Sequence, residues 1–216
     1  KILTATYSGD ANYNSGTDTE THTVNQATPT VTIVSDAGDP SVVGQAYTVQ
    51  VTVSGNAATP TGTVTLVDGS GASATINLSG GTGSATLTST TAGTKNLSAT
   101  YSGDSNYGTA VDTESHTVSK GSPTVTITSD ANDPSAVSEA YAVEVTVTGA
   151  GTNPTGTVTV GDGDGNQTTI TLSGGSGSGN ITTLTTGDKT LTATYSGDSN
   201  YQPATDTEAH TVEAVI

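Results

Sequence analysis

Ala5-Thr6-Tyr7-Ser8-Gly9-Asp10-Ala11-Asn12-Tyr13 returns as Ala99–Tyr107 and again as Ala193–Tyr201, each time with Ser in place of Ala11. The spacing is 94 residues both times, from Tyr7 to Tyr101 to Tyr195, and His22, His116 and His210 keep the same phase. All 8 tyrosines and all 3 histidines fall on repeat-phased positions, Tyr47 and Tyr141 forming the remaining pair. A fixed period constrains the architecture before any local reading does. This one is far longer than the roughly 20–50 residues of a solenoid repeat. It suits a β-sandwich of about 100 residues, which closes a core of its own.

Around the motif the chain alternates. Leu3, Ala5 and Tyr7 share one face of a strand and the threonines the other, a period of two. Ser8-Gly9-Asp10 and Asn12 are turn formers. A second strand over about 17–24 completes a ribbon, so residues 1–24 read as the last two strands of an incomplete unit. Residues 25–118 then hold one whole repeat, and residues 119–216 a second, without insertion or deletion. Within the first, Pro29–Ile33 opens as a strand, since a proline at a strand start loses nothing by lacking its N–H. Ser35–Pro40 reads as a turn. Tyr47–Val53 alternates strictly. Thr63–Val67 and Thr75–Leu78 flank Asp68-Gly69, a hairpin signal. Ser84–Thr88, Lys95–Tyr101 and Asp112–Val118 complete seven strands, the expectation for a sandwich. The fold class read here is all-β: tandem antiparallel sandwiches of about seven strands in a linear rod. The 216 residues are expected to be a window on a longer repetitive array.

Composition agrees. Threonine favours strands, and the 27 glycines supply turns. With no Cys, Met, Trp or Phe, the core must be thin, built from Val, Leu, Ile, Ala and Tyr. A net charge of −16 argues against nucleic acid or anionic membrane as partner. No stretch is apolar for long enough to insert into a bilayer as a helix.

Pro60-Thr61-Gly62-Thr63-Val64-Thr65, Asp68-Gly69, Leu78-Ser79-Gly80-Gly81 and then Leu97-x-Ala99-Thr100-Tyr101-Ser102-Gly103-Asp104-x-Asn106-Tyr107 resemble, in that order, the bacterial Ig-like domain repeats of very large surface proteins. The resemblance covers the whole chain. It implies an antiparallel sandwich in tandem, an extracellular or cell-surface place, and a role as adhesin stalk or filament. The sequence departs from the family's pattern at Leu66 and Val160, where Phe is frequent, and at Glu114 and Glu208, where an apolar residue is frequent. The family transfers no catalytic residue.

Candidate chemistry is sparse. Calcium needs oxygen-rich loops. The candidates are Asp36 and Asp39 with Asp130 and Asp133 near a domain end, and Asp162 with Asp164 in Gly-Asp-Gly-Asp-Gly-Asn. The last lacks a distal glutamate, and the first unit has only Asp68 there. The expectation is therefore solvated aspartates and no cofactor. One histidine per unit is not expected to make a metal cluster within that unit, and the sequence places no nucleophile beside it. An exposed strand histidine and a non-enzymatic chain are expected. Lys95 and Lys189 share parity with Leu97 and Leu191 and should point inward. A snorkelling stem is the plain reading, an isopeptide bond the sharp one. Asn77, Asn96, Asn166 and Asn180 head glycosylation sequons, but such matches arise by chance in a chain this rich in Thr and Ser. The function read from these residues is a stiff structural rod or filament whose partners are neighbouring repeats or copies of itself. The alternative is an adhesive module whose loops bind surface glycans or a protein receptor.

Overall fold

The computed structural model describes residues 1–215 and contains 18 strands and, among the described residues, no helix. β1 (Ile2–Tyr7) and β2 (Gly16–Thr21) pair only with each other. The first whole repeat follows with β3 (Thr30–Ala37), β4 (Ser41–Val42), β5 (Ala46–Ser54), β6 (Thr63–Val67), β7 (Ser73–Asn77), β8 (Thr82–Thr88), β9 (Gly93–Tyr101) and β10 (Ala110–Ser119). β3-β5-β8 form one sheet and β4-β10-β9-β6-β7 the other. The second repeat builds the same two sheets, β11-β13-β16 and β12-β18-β17-β14-β15. Its strands are β11 (Thr124–Asp130), β12 (Ser135–Ala136), β13 (Ala140–Thr148), β14 (Thr157–Gly161), β15 (Gln167–Thr171), β16 (Ser176–Thr182), β17 (Gly187–Tyr195) and β18 (Ala204–Glu213).

Strict alternation puts Tyr47, Val49, Val51 and Val53 of β5 inside, facing Val64, Leu66, Leu97, Ala99 and Tyr101 of the opposite sheet. At roughly 25 cal/mol per Å2 of apolar surface, these valines and tyrosines carry what aromatic-rich cores give to Phe and Trp. Two features differ from the sequence reading. Ser35–Ala37 continues β3 past a bulge between Ile33 and Ser35 rather than turning. The chain then crosses to the other sheet as β4, an eighth strand that runs parallel to β10, with Ser41 opposite Val118. A bulge re-aims the strand and adds local twist, which carries the chain from one sheet edge to the other. The Asp68-Gly69 hairpin forms, but as a five-residue loop closed by the Asp68 carboxylate, which accepts from Ser70 N (2.8 Å) and Ala72 N (3.0 Å).

β1 and β2 share the register of the last two strands of each repeat. Leu3 lies opposite Glu20, as Leu97 lies opposite Glu114 and Leu191 opposite Glu208. No sheet covers their apolar face among the described residues, and Leu3 and Tyr7 stand exposed.

Candidate functional site

The recurrent motif makes a loop built on one carboxylate. Asp198 Oδ1 accepts from Asn200 N (2.8 Å) and Tyr201 N (2.9 Å), and its Oδ2 accepts from Thr155 N (2.8 Å) and Thr155 Oγ1 (2.9 Å). Burial pushes this carboxyl up, and the Thr155 and Asn200 donors outweigh it, so Asp198 stays below its ordinary value. Asp104 repeats the arrangement with Thr61, Asn106 and Tyr107. Led by the Thr61 N–H, these donors hold Asp104 down to about 2. Tyr101 and Tyr195 are fully buried, and their hydroxyls donate to Thr61 O (2.7 Å) and Thr155 O (2.8 Å). Burial, then the nearby aspartate, pushes both phenols up to about 12. Tyr107 and Tyr201 are also fully buried, so neither offers a ring face to a sugar.

The same loop grips the linker and the preceding repeat. Gly121 N donates to Asn200 O (2.8 Å), Gln202 N donates to Gly121 O (2.9 Å), and the Lys120 ammonium donates to Asp198 O. Asn200 Oδ1 accepts from Ala92 N of the first repeat (3.0 Å), while its Nδ2 donates to Thr152 Oγ1 (2.9 Å). Val43, just past β4, is only 3% exposed and belongs to the second repeat's apolar cluster with Tyr201. Glycines allow the approach. A Cβ on Gly44, whose φ is +77°, would lie 2.5 Å from Ala150 Cβ; one on Gly151, at φ +106°, would lie 2.9 Å from Val43 Cγ1. The linker grip recurs where β2 meets the first repeat, with Ala27 N donating to Asn106 O (2.8 Å).

A second constellation lies under β4. His116 and His210 are buried, not exposed as their strand position suggested. They share parity with Val118 and Val212, a signal available in the sequence. Each ring stacks on a tyrosine, Tyr47 and Tyr141, with centroids 3.9 Å apart. His116 Nδ1 lies 3.0 Å from Asp36 Oδ2 and 3.8 Å from Asp39 Oδ1, and Nε2 lies 2.8 Å from Ser41 Oγ. The second repeat sets Asp130 at 2.9 Å, Asp133 at 3.8 Å and Ser135 at 2.9 Å around His210. The Asp36 carboxylate can only accept, so Nδ1 carries a proton, and in the neutral imidazole Nε2 accepts from the Ser41 hydroxyl. A serine thus stands beside each histidine, which sequence reasoning missed. The order is that of a Ser-His-Asp nucleophile, but Ser41 and Ser135 are 1% and 2% exposed and have no opening to a substrate.

The remaining acidic candidates diverge. Asp162 is buried and accepts from Asn166 Nδ2 (2.7 Å), Thr183 Oγ1 (2.9 Å) and Asp164 N (2.9 Å). Asp164 instead faces Lys189 Nζ (2.6 Å), which draws that lysine away from the snorkelling position of an unpaired stem and lowers the Asp164 carboxyl. Lys95, without an acid at Ser70, donates to Thr91 Oγ1 (2.7 Å).

The profile of the bacterial Ig-like domain (group 3) matches residues 33–128 and 127–213. The chain belongs to that family. Among solved structures, the Ig-like repeats are similar to the tetra-tandem repeat in the extending region of a large adhesion protein, at 21% identity and a TM-score of 0.58, over 98% of this chain and 56% of that one. They are also similar to a Ca2+-stabilized adhesin with which an Antarctic bacterium binds ice (23% identity, TM-score 0.34, 99% and 57% coverage). A third likeness is to the fibronectin(III)-like modules of Clostridium thermocellum CbhA (16%, TM-score 0.38, 86% and 95%). The chain spans a little over half the length of the two adhesin structures. No curated protein sequence matches it. Among the described residues there is no helix long and apolar enough to cross a membrane.

Proposed function

We propose that this chain is a structural spacer of the bacterial cell surface, whose Ig-like repeats are joined end to end into a stiff extracellular rod. Residues 1–24 correspond to the last two strands of a unit, residues 25–118 to one unit and residues 119–216 to another. The junction carries the reading. Asn200 accepts from Ala92 across the two repeats at 3.0 Å, and Val43 of one repeat is buried in the apolar cluster of the other. A flexible linker would leave both groups in water, whereas a joint with buried apolar area and glycine-permitted contact resists bending. Charge of one sign, −16 over the chain, discourages folding back. The partners of such a rod are its own neighbouring repeats or copies.

The reading as a loop-borne glycan or receptor module has less support, because both tyrosines of each whole-repeat motif are spent on core and junction. Small-angle scattering of the full chain tests the spacer. An elongated particle whose dimensions stay constant as salt is raised is the expected result. Dimensions that contract steeply with salt would mean charge repulsion alone extends the chain, and the junction would then not be its stiffening element.

A further inference from the structure

We propose that each whole repeat carries a transition-metal site of the zinc class, formed by His116 Nδ1, Asp36 and Asp39 in the first repeat and by His210 Nδ1, Asp130 and Asp133 in the second. In each, one nitrogen and two carboxylate oxygens lie within 4.8 Å of one another. Zinc binds imidazole nitrogen and carboxylate oxygen at about 2.0–2.2 Å, so its tetrahedral ligand atoms sit roughly 3.3–3.6 Å apart. The observed separations from His116 Nδ1, 3.0 and 3.8 Å, bracket that span, and the second repeat shows 2.9 and 3.8 Å.

The ligands are held by groups other than the ion. The imidazole is clamped against the Tyr47 ring, 13° from parallel, and Asp39 Oδ1 accepts from Thr117 N at 2.7 Å. Ser41 supplies the outer contact that a ligating histidine needs on its second nitrogen. Its hydroxyl donates to Nε2 in the metal-free tautomer. When the ion takes the Nδ1 position, the imidazole proton resides on Nε2 and the same hydroxyl accepts it, so the ring remains neutral and satisfied. Access is one-sided. The histidine side chain is fully buried, while Asp36 and Asp39 are 15% and 37% exposed, so an ion arrives from the aspartate side and water completes its shell. These aspartates meet no lysine among the described residues. Calcium, which takes six to eight oxygens, fits this set poorly; a nitrogen donor and a small ligand count select a borderline-soft ion.

His22 provides a control inside the molecule, because it shares the phase of the other two histidines but, among the described residues, has no aspartate pair placed on it. The test is calorimetric titration of the metal-stripped full chain with zinc chloride, with cobalt(II) as a spectroscopic stand-in. Two ions should bind per chain, with calcium failing to compete, and His22→Gln should leave both. The pair Asp39→Asn and Asp133→Asn should weaken zinc by more than the roughly 10–100-fold typical of losing an outer-shell partner. A stoichiometry of three, loss of an ion on His22→Gln, or unchanged affinity in the double variant overturns the proposal. Should the double variant fail to fold, 15N spectra of the unaltered chain still decide. Zinc must move the His116 and His210 ring signals to the Nε2–H tautomer, and rings left unmoved would show that the cluster is a hydrogen-bonded clasp alone.

Discussion

Asp104 and Asp198 each answer four donors with a single carboxylate, three of them backbone N–H groups. Ionisation is therefore part of the fold. A carboxyl whose folded value lies below its unfolded one stabilises above the unfolded value, and that stabilisation is lost as pH falls through the folded one. For Asp104 the window runs from about pH 4 down to about 2. Thermal melts across that range should show a steep acid limb. Asp104→Asn, which keeps one acceptor oxygen and no charge, should lower the melting temperature at pH 7 and flatten the limb. An acid limb of unchanged slope would place the acid sensitivity elsewhere, Asp198, Asp68 and Asp162 being further carboxylates held below their ordinary values by hydrogen-bond donors against the push of burial. The sequence made this loop legible because Asp, Asn and Gly at fixed offsets announce a turn. It did not announce the histidine cluster. Asp36 and Ser41 reach His116 from 80 and 75 residues away, through a bulge and a two-residue parallel strand that no periodicity marks.

Among the elements, β8 and β16 each carry a glycine with no room for a Cβ. Gly83 faces β7 so closely that a Cβ would lie 2.3 Å from Ile76 Cγ2, and a Cβ on Gly177 would meet Ile170 Cγ2 at 2.6 Å. Isoleucine is branched there and cannot swing its methyl aside without leaving its rotamer. Gly83→Ala should thus cost about 1–3 kcal/mol as overpacking, a fall of several degrees in melting temperature, although alanine suits a strand better than glycine. A neutral or stabilising effect would mean that the two sheet edges are free to part. β1 and β2 make the opposite case. Their register equals that of β9 and β10, yet no second sheet packs on them among the described residues, and a lone two-stranded ribbon is marginal in water. Amide exchange in β1–β2 should approach the rate of open chain while the paired amides of β9–β10 stay protected. Equal protection would show that the exposed Leu3 and Tyr7 face is covered in solution. Strand existence was legible from alternation; the eighth strand was not, because two residues carry no period.

For the molecule as a whole, the decisive property is how freely the two repeats move against each other. The junction spends the motif's Asn200, two glycines without room for a Cβ, and Val43 on a single relative placement. Each contact is small, but they act together, and a joint with several coupled contacts has one deep minimum rather than many shallow ones. The chain contains no cysteine, so paired spin labels can be placed at will. Thr75→Cys and Thr169→Cys mark equivalent exposed positions on the hairpins of the two repeats. Pulsed dipolar spectroscopy on that pair should give one narrow distance distribution. Adding Asn200→Ala should broaden it by freeing the Ala92 N–H, and adding Gly151→Val should broaden it further, since both its positive φ and the 2.9 Å approach to Val43 forbid a branched side chain. Melting temperatures of the separate repeats should change little in Asn200→Ala, because that side chain bridges the repeats and fills neither core. A distribution already broad in the unaltered chain, or one that both substitutions leave narrow, would remove the junction as the source of stiffness and with it the physical basis for a rod.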